Sequence, residues 1–156
     1  MHVSKIEVVA ALRAVLLEEL AAVERIAAAA RDETTSAETR QEGKYDTRAT
    51  EASYLARGQA WRVAELRRLA AWFEVQSGDP RDVVGVGALV ALAGARQELV
   101  FVAPVGGLSA TVGGRKVRVI SPGSPLGKAL TGLEADDGFE LQTPRGRVDY
   151  EVLAIW

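Results

Sequence analysis

The chain of 156 residues contains no cysteine. That excludes a disulfide scaffold, a thiolate metal site and a cysteine nucleophile, and it fits a reducing compartment. Histidine is nearly absent: His2 stands alone beside the N-terminus. No serine–histidine pair aimed from a folded core and no multi-histidine metal site is built from that. Long uncharged apolar runs are missing too. No stretch approaches the roughly 18–20 residues that a membrane span needs. The apolar run near the N-terminus is interrupted by Arg13, Glu18 and Glu19, and it lacks the basic start and cleavage site of a targeting segment. Nor is there an excess of positive charge. The net charge is −2 and the pI near 5.5, which disfavours a stand-alone DNA or RNA binder. The expectation is a soluble, cytoplasmic protein of globular composition, 48% hydrophobic and 26% charged, forming one domain or two small ones.

What is present is organised around residues 31–48, RDETTSAETRQEGKYDTR. This stretch has no sustained apolar period and no aliphatic side chain larger than alanine. It carries five acids: Asp32, Glu33, Glu38, Glu42 and Asp46. On either side lie long Ala/Leu-rich segments with helical patterning. Before it, Val9, Leu12, Leu16, Leu20, Val23, Ala27 and Ala30 recur at steps of three and four, the period of a two-helix seam. Ser4 and Glu7 fit a capping box at its start. Some 27 residues at about 1.5 Å rise give an arm of about 40 Å. After it, Ala52, Ala56, Gln59, Val63, Leu66, Ala70 and Phe73 repeat the same steps to about Gln76, where Ser77-Gly78-Asp79-Pro80 is a helix stop. Gly58 interrupts this second segment, either for close packing or as a tolerated glycine. The pattern predicts a helical hairpin over residues 1–78 with an acidic tip at about 32–46.

Beyond Pro80 the periodicity changes. Residues 88–92, 98–103, 116–120, 139–143 and 148–155 read as short strands separated by glycine-bearing turns. Ser124 followed by Pro125, with Gly132 closing, describes one short helix. The fold class expected is α+β: an N-terminal antiparallel helical hairpin, then a small antiparallel sheet domain with a short helix over residues 79–156. The slight acidity belongs to the hairpin. Residues 1–79 hold 13 acids against 11 bases, and residues 80–156 hold eight of each. The pairs Gly106-Gly107 and Gly113-Gly114 lack the spacing and lysine of nucleotide-binding loops. An exposed Trp61 on the second helix would mark a partner contact.

The order of parts resembles the GreA/GreB transcript-cleavage factors of bacterial RNA polymerase. The likeness rests on residues 120–132 (ISPGSPLGKALTG), the acidic turn Asp136-Asp137-Gly138, the hairpin Gln142-Thr-Pro-Arg-Gly146 and the final strand Tyr150-Glu-Val-Leu-Ala-Ile155. In the hairpin, residues 42–46 (EGKYD) resemble the family's E-N-A-E-Y-D segment. The resemblance implies an FKBP-like C-terminal domain that docks at the rim of the polymerase secondary channel. It also implies a coiled coil whose tip carboxylates help hold the second catalytic Mg²⁺ while the polymerase hydrolyses backtracked RNA. The factor would stimulate that hydrolysis rather than catalyse alone. Its partners would be RNA polymerase and, indirectly, the 3′ end of the nascent RNA.

Carried onto this sequence, the family's two key acids lie seven and four residues before the tyrosine. Counted back from Tyr45 these positions are Glu38 and Gln41, with Glu42 one place off. Glu38 and Glu42 are therefore the leading tip carboxylates, and Asp32, Glu33 and Asp46 are secondary candidates for the shared metal ion. Docking is expected around Ser121, Pro122, Ser124, Pro125, Leu126 and Leu130. The changed tip keeps open an alternative, a channel-binding inhibitor or regulator without cleavage activity. A peptidyl-prolyl isomerase is disfavoured, because Phe101, Phe139, Tyr150 and Trp156 are spread along the domain rather than gathered.

Overall fold

The structure is a computed structural model. It describes residues 2–40 and 47–156, with side chains throughout except at 33–40, 47–49 and 52. The chain forms two compact units, Leu16–Trp72 and Met1–Val15 with Phe73–Trp156. Among the described residues no helix is long and apolar enough to cross a membrane.

The described residues of the first unit are helical. Helix α1 spans Lys5–Arg40 and helix α2 spans Thr47–Glu74. Within Leu16–Trp72 the side chains of Leu16, Ala27 and Ala30 on α1 and of Val63, Leu66, Leu69 and Ala70 on α2 are buried. These are the positions that the three–four repeat selects, with Leu69 widening the stripe to three residues per two turns. Two ion pairs join the helices along their edges, Glu19 with Arg62 and Glu24 with Arg67, the second at 2.8 Å. Arg62 also holds Glu65 of its own helix at 2.7 Å. Such half-exposed pairs contribute about 0.2–1 kcal/mol each and chiefly fix alignment.

One expectation needs correction. The first helix was expected to give way to the tip just after Ala30, with the second starting near Tyr45 or Asp46, yet α1 continues through Arg40. Loss of the apolar stripe removes packing partners, not helical propensity. No glycine or proline occurs until Gly43, and Glu33, Ala37, Glu38 and Arg40 are all good helix formers. At 36 residues α1 is about 54 Å long by a rise of ~1.5 Å per residue.

Gly58 resolves in favour of the tolerated glycine. A Cβ added there meets nothing within 4 Å. Gly58→Ala is expected to stabilise α2 by about 1 kcal/mol through propensity and a less flexible unfolded chain. Chemical denaturation of the full chain measures it, and a destabilised variant would contradict it.

The other unit is built on a six-stranded sheet. Its strands are β1 Leu89–Ala93, β2 Gln97–Val102, β3 Ser109–Val112, β4 Arg115–Ile120, β5 Gly138–Thr143 and β6 Gly146–Ile155, in the order β3-β4-β2-β1-β6-β5. Helix α3, Pro125–Leu130, lies between β4 and β5 in the chain. The α+β class stands, but the sheet is mixed rather than antiparallel, because β2 and β4 are parallel with Leu99 opposite Val117. The cause is β3, a strand the periodicity does not reveal in its four small residues. The chain leaves β2, forms β3 at the sheet edge, and reverses through Gly113 and Gly114. Both of these have positive φ, 56° and 77°, as a two-residue hairpin turn with primed geometry requires. That reversal brings β4 back alongside β2 in the same direction.

Val90, Leu92, Val100, Val102, Ile120 and Val152 from one sheet face form a buried core with Val84 and with Leu126 and Leu130 of α3. Phe101 points to the opposite face, where Phe73 stacks on it with ring centroids 5.8 Å apart. Phe73 thus fastens the last turn of α2 to the sheet. The first turn of α1 is fastened by Lys5, which is buried and donates from Nζ to the Asp79 carbonyl at 2.7 Å. Burial and the nearby Arg81 charge lower the Lys5 pKa, with Asp79 opposing them.

Candidate functional site

Three of the five predicted tip acids belong to α1. Asp32 is exposed on α1. Positions 33 and 38 also belong to the α1 backbone, Glu38 in its last turn. Glu42 and Asp46, together with Gln41, Lys44 and Tyr45, lie outside the described residues. Among the described residues no three His, Cys, Asp or Glu side chains gather in a way that could hold a metal ion.

Below this end the two helices enclose a shallow groove of about 390 Å³, lined by Ala27 and Arg31 of α1 and Ala56, Ala60 and Val63 of α2 among others. Alanines from both helices line it together with the charged Glu24, Arg31 and Arg67. On the outer face of α2, Tyr54 and Trp61 are seven residues apart, two helical turns, and both are about two-thirds exposed.

The second predicted surface, residues 121–130, is mostly a structural device. The Ser124 hydroxyl accepts from the Gly127 N–H at 3.1 Å and donates to the Ser121 carbonyl at 2.7 Å, capping α3 and closing the preceding turn at once. Pro125 occupies the first helical position. Gly127 passes so close to the turn that an added Cβ would lie 1.9 Å from the Ser121 carbonyl oxygen. Leu126 and Leu130, expected at a docking surface, are core residues. The α-helical step forces this: positions 126 and 130 share one face, and α3 spends that face on the sheet. Pro125 and Lys128 remain exposed, with Ser121, Pro122 and Ser124 half-buried.

The acidic segment and the Thr-Pro hairpin are likewise turns, and the last motif segment belongs to β6. Asp137 accepts from the Glu134 N–H at 2.8 Å, and Asp136 holds a positive φ of 70°. Thr143 donates from its hydroxyl to the Gly146 carbonyl at 2.7 Å, closing the β5–β6 hairpin. Tyr150 stacks on Phe139 with centroids 5.2 Å apart. Burial, then the neighbouring Glu98 carboxylate, raises the Tyr150 pKa, while Arg118 lowers it. No expectation fell on the ends of β2 and β4, where Arg96, Arg115, Lys116 and Arg118 line a groove of about 330 Å³. Its trace in the sequence is the R-K-V-R run at 115–118, most of which reads only as part of the short strand at 116–120.

Comparison with known proteins bears on the sheet unit most directly. The sequence model of the family described as "Transcription elongation factor, GreA/GreB, C-term" matches residues 79–156. The transcription elongation factor GreA of Psychromonas ingrahamii is 40% identical over 40 residues, 26% of this chain and 25% of that protein. GreA of Legionella pneumophila is 42% identical over 40 residues with the same coverage. The match thus spans about a quarter of the length of these relatives. Among solved structures, the GreA factor homolog Gfh1 of Thermus thermophilus is 21% identical, with a TM-score of 0.38 over 90% of this chain and 92% of its own. With a family match extending from Asp79 to the last residue, half of the sequence, the chain belongs to the GreA/GreB family of transcription elongation factors.

Proposed function

We propose that this protein binds bacterial RNA polymerase through its secondary channel and uses the α1–α2 end to assist cleavage of backtracked RNA by the polymerase itself. The observation that carries the reading is the helical pair: α1 is unbroken to Arg40, α2 begins at Thr47, and the acidic positions cluster at that end. A helix C-terminus is the negative end of its dipole, so an acid in the last turn costs about 0.3–1 kcal/mol. Glu38 is placed there at a cost to the helix, which favours a use outside the fold.

Carboxylates are hard oxygen donors that suit Mg²⁺. Such an ion in a two-metal site activates the attacking water and stabilises the leaving oxygen. Glu38 and Glu42 are the groups assigned to contribute oxygen ligands, with Asp32, Glu33 and Asp46 as secondary candidates. The remaining ligands come from the polymerase, so the protein is a stimulator and has no hydrolase activity alone. The exposed Tyr54 and Trp61 supply apolar contact area to the same partner.

One observation favours a second reading, a regulator that occupies the channel without promoting cleavage: Gln41 stands where the resemblance calls for the second acid. Both readings require polymerase binding. Surface-captured cognate core polymerase is expected to bind the full chain, and a GreA factor in solution is expected to compete for the site. Absence of binding, or binding that a GreA factor leaves unchanged, would overturn both.

A further inference from the structure

The ends of β2 and β4 and the β5–β6 turn carry a concentration of charge opposite in sign to the whole chain. Two adjoining grooves, of about 330 and 550 Å³, share Arg96, Glu98 and Arg118. Arg115 and Lys116 line one of them and Arg145 the other. Five of the eight bases between residues 80 and 156 therefore meet on one surface, with Glu98 as the carboxylate lining both grooves. The chain as a whole has a net charge of −2. The arrangement follows from the sheet. Parallel pairing sets Val100 beside Arg118 and Leu99 beside Val117, so the starts of β2 and β4 come together. Glu98 takes Arg118 at 2.9 Å. Among the described residues the side chains of Arg96, Arg115, Lys116 and Arg145 take part in no ion pair, and Arg96, Lys116 and Arg145 are exposed.

We infer that this surface is a docking site for an acidic segment of a protein partner. Like charges held together repel one another, and the planar forks of arginine match carboxylates in bidentate geometry. A run of Asp or Glu side chains relieves the repulsion and satisfies the unused donors. Single-stranded nucleic acid is the poorer fit, because it needs aromatic faces on which bases stack. The aromatic ring at this surface, Tyr150, is already stacked on Phe139. The inference deepens the polymerase reading and rests on it for the partner's identity, but not for the ligand's chemistry.

The test uses the full-length chain and a fluorescein-labelled deca-glutamate peptide at low ionic strength. Wild type is expected to bind in a salt-sensitive way. The quadruple variant Arg96→Gln/Arg115→Gln/Lys116→Gln/Arg145→Gln is expected to bind about tenfold or more weakly, since four positive charges are removed from the surface. A control variant with Arg25→Gln, Arg57→Gln and Arg68→Gln on the helical unit is expected to bind like wild type. Equal loss in the control, no loss in the quadruple variant, or no binding by wild type would each overturn the assignment. So would a labelled oligouridylate of equal charge that binds more tightly through the same four residues. Affinity for core polymerase separates the two readings. If the quadruple variant loses the peptide but keeps the polymerase, the surface stands and serves another acidic partner.

Discussion

Gly127→Ala is expected to destabilise the sheet unit by about 3 kcal/mol or more, at the upper end of what overpacking costs. An added methyl would sit 1.9 Å from the Ser121 carbonyl oxygen, far inside contact distance. That oxygen cannot retreat, because it already accepts from the Ser124 backbone N–H at 3.1 Å and the Ser124 hydroxyl at 2.7 Å. Nor can α3 shift outward without withdrawing Leu126 and Leu130 from the core. Glycine at 127 is thus what lets the turn and the helix occupy the same space. Gly123→Ala is the matched control: it lies four residues away, and a Cβ there meets nothing within 4 Å. Chemical denaturation of both variants is the measurement. The control should unfold within about 0.5 kcal/mol of wild type. A Gly127→Ala protein as stable as wild type would show that the Ser121 turn is not packed as described.

The second large effect is functional. Glu38→Ala/Glu42→Ala is expected to lower stimulated RNA cleavage on the order of 100-fold, since even indirect supports of a metal ligand cost about 10–100-fold when removed. Polymerase binding should stay within about twofold, because the sheet unit is untouched and exposed substitutions alter stability little. The fold should not suffer either. Alanine is the strongest helix former, and removing an acid from the last turn of α1 relieves an unfavourable dipole interaction. Loss of binding together with loss of cleavage would mean that the acids serve docking instead.

Much of this structure was legible before any coordinates. The burial of Leu12, Leu16, Ala27 and Ala30, and of Val63, Leu66, Ala70 and Phe73, follows the three–four repeat. The Ser124–Pro125 start and Gly132 close of α3 follow from capping chemistry alone, with Gly132 at a φ of 89°. What was not legible has physical causes. The extension of α1 to Arg40 was hidden because periodicity reports packing, and residues 31–40 lack its apolar stripe. β3 was hidden because Ser109, Ala110, Thr111 and Val112 are too few to show alternation between two glycine pairs. Missing β3 also concealed the parallel pairing of β2 and β4, which depends on that extra reversal. The family's recurrent Ser-Pro and Thr-Pro segments invite a functional reading, yet Ser124, Gly127 and Thr143 serve turns and caps. The basic surface formed only when strands distant in sequence came together.

The most direct test uses halted, backtracked elongation complexes of the cognate polymerase carrying 3′-labelled RNA. The full chain is added with Mg²⁺, and release of short 3′ fragments is followed over time. Faster release with wild type, abolished in Glu38→Ala/Glu42→Ala, is the predicted result. Unchanged fragment release alongside slower elongation would contradict cleavage assistance and assign the protein to regulation of the polymerase through the same channel.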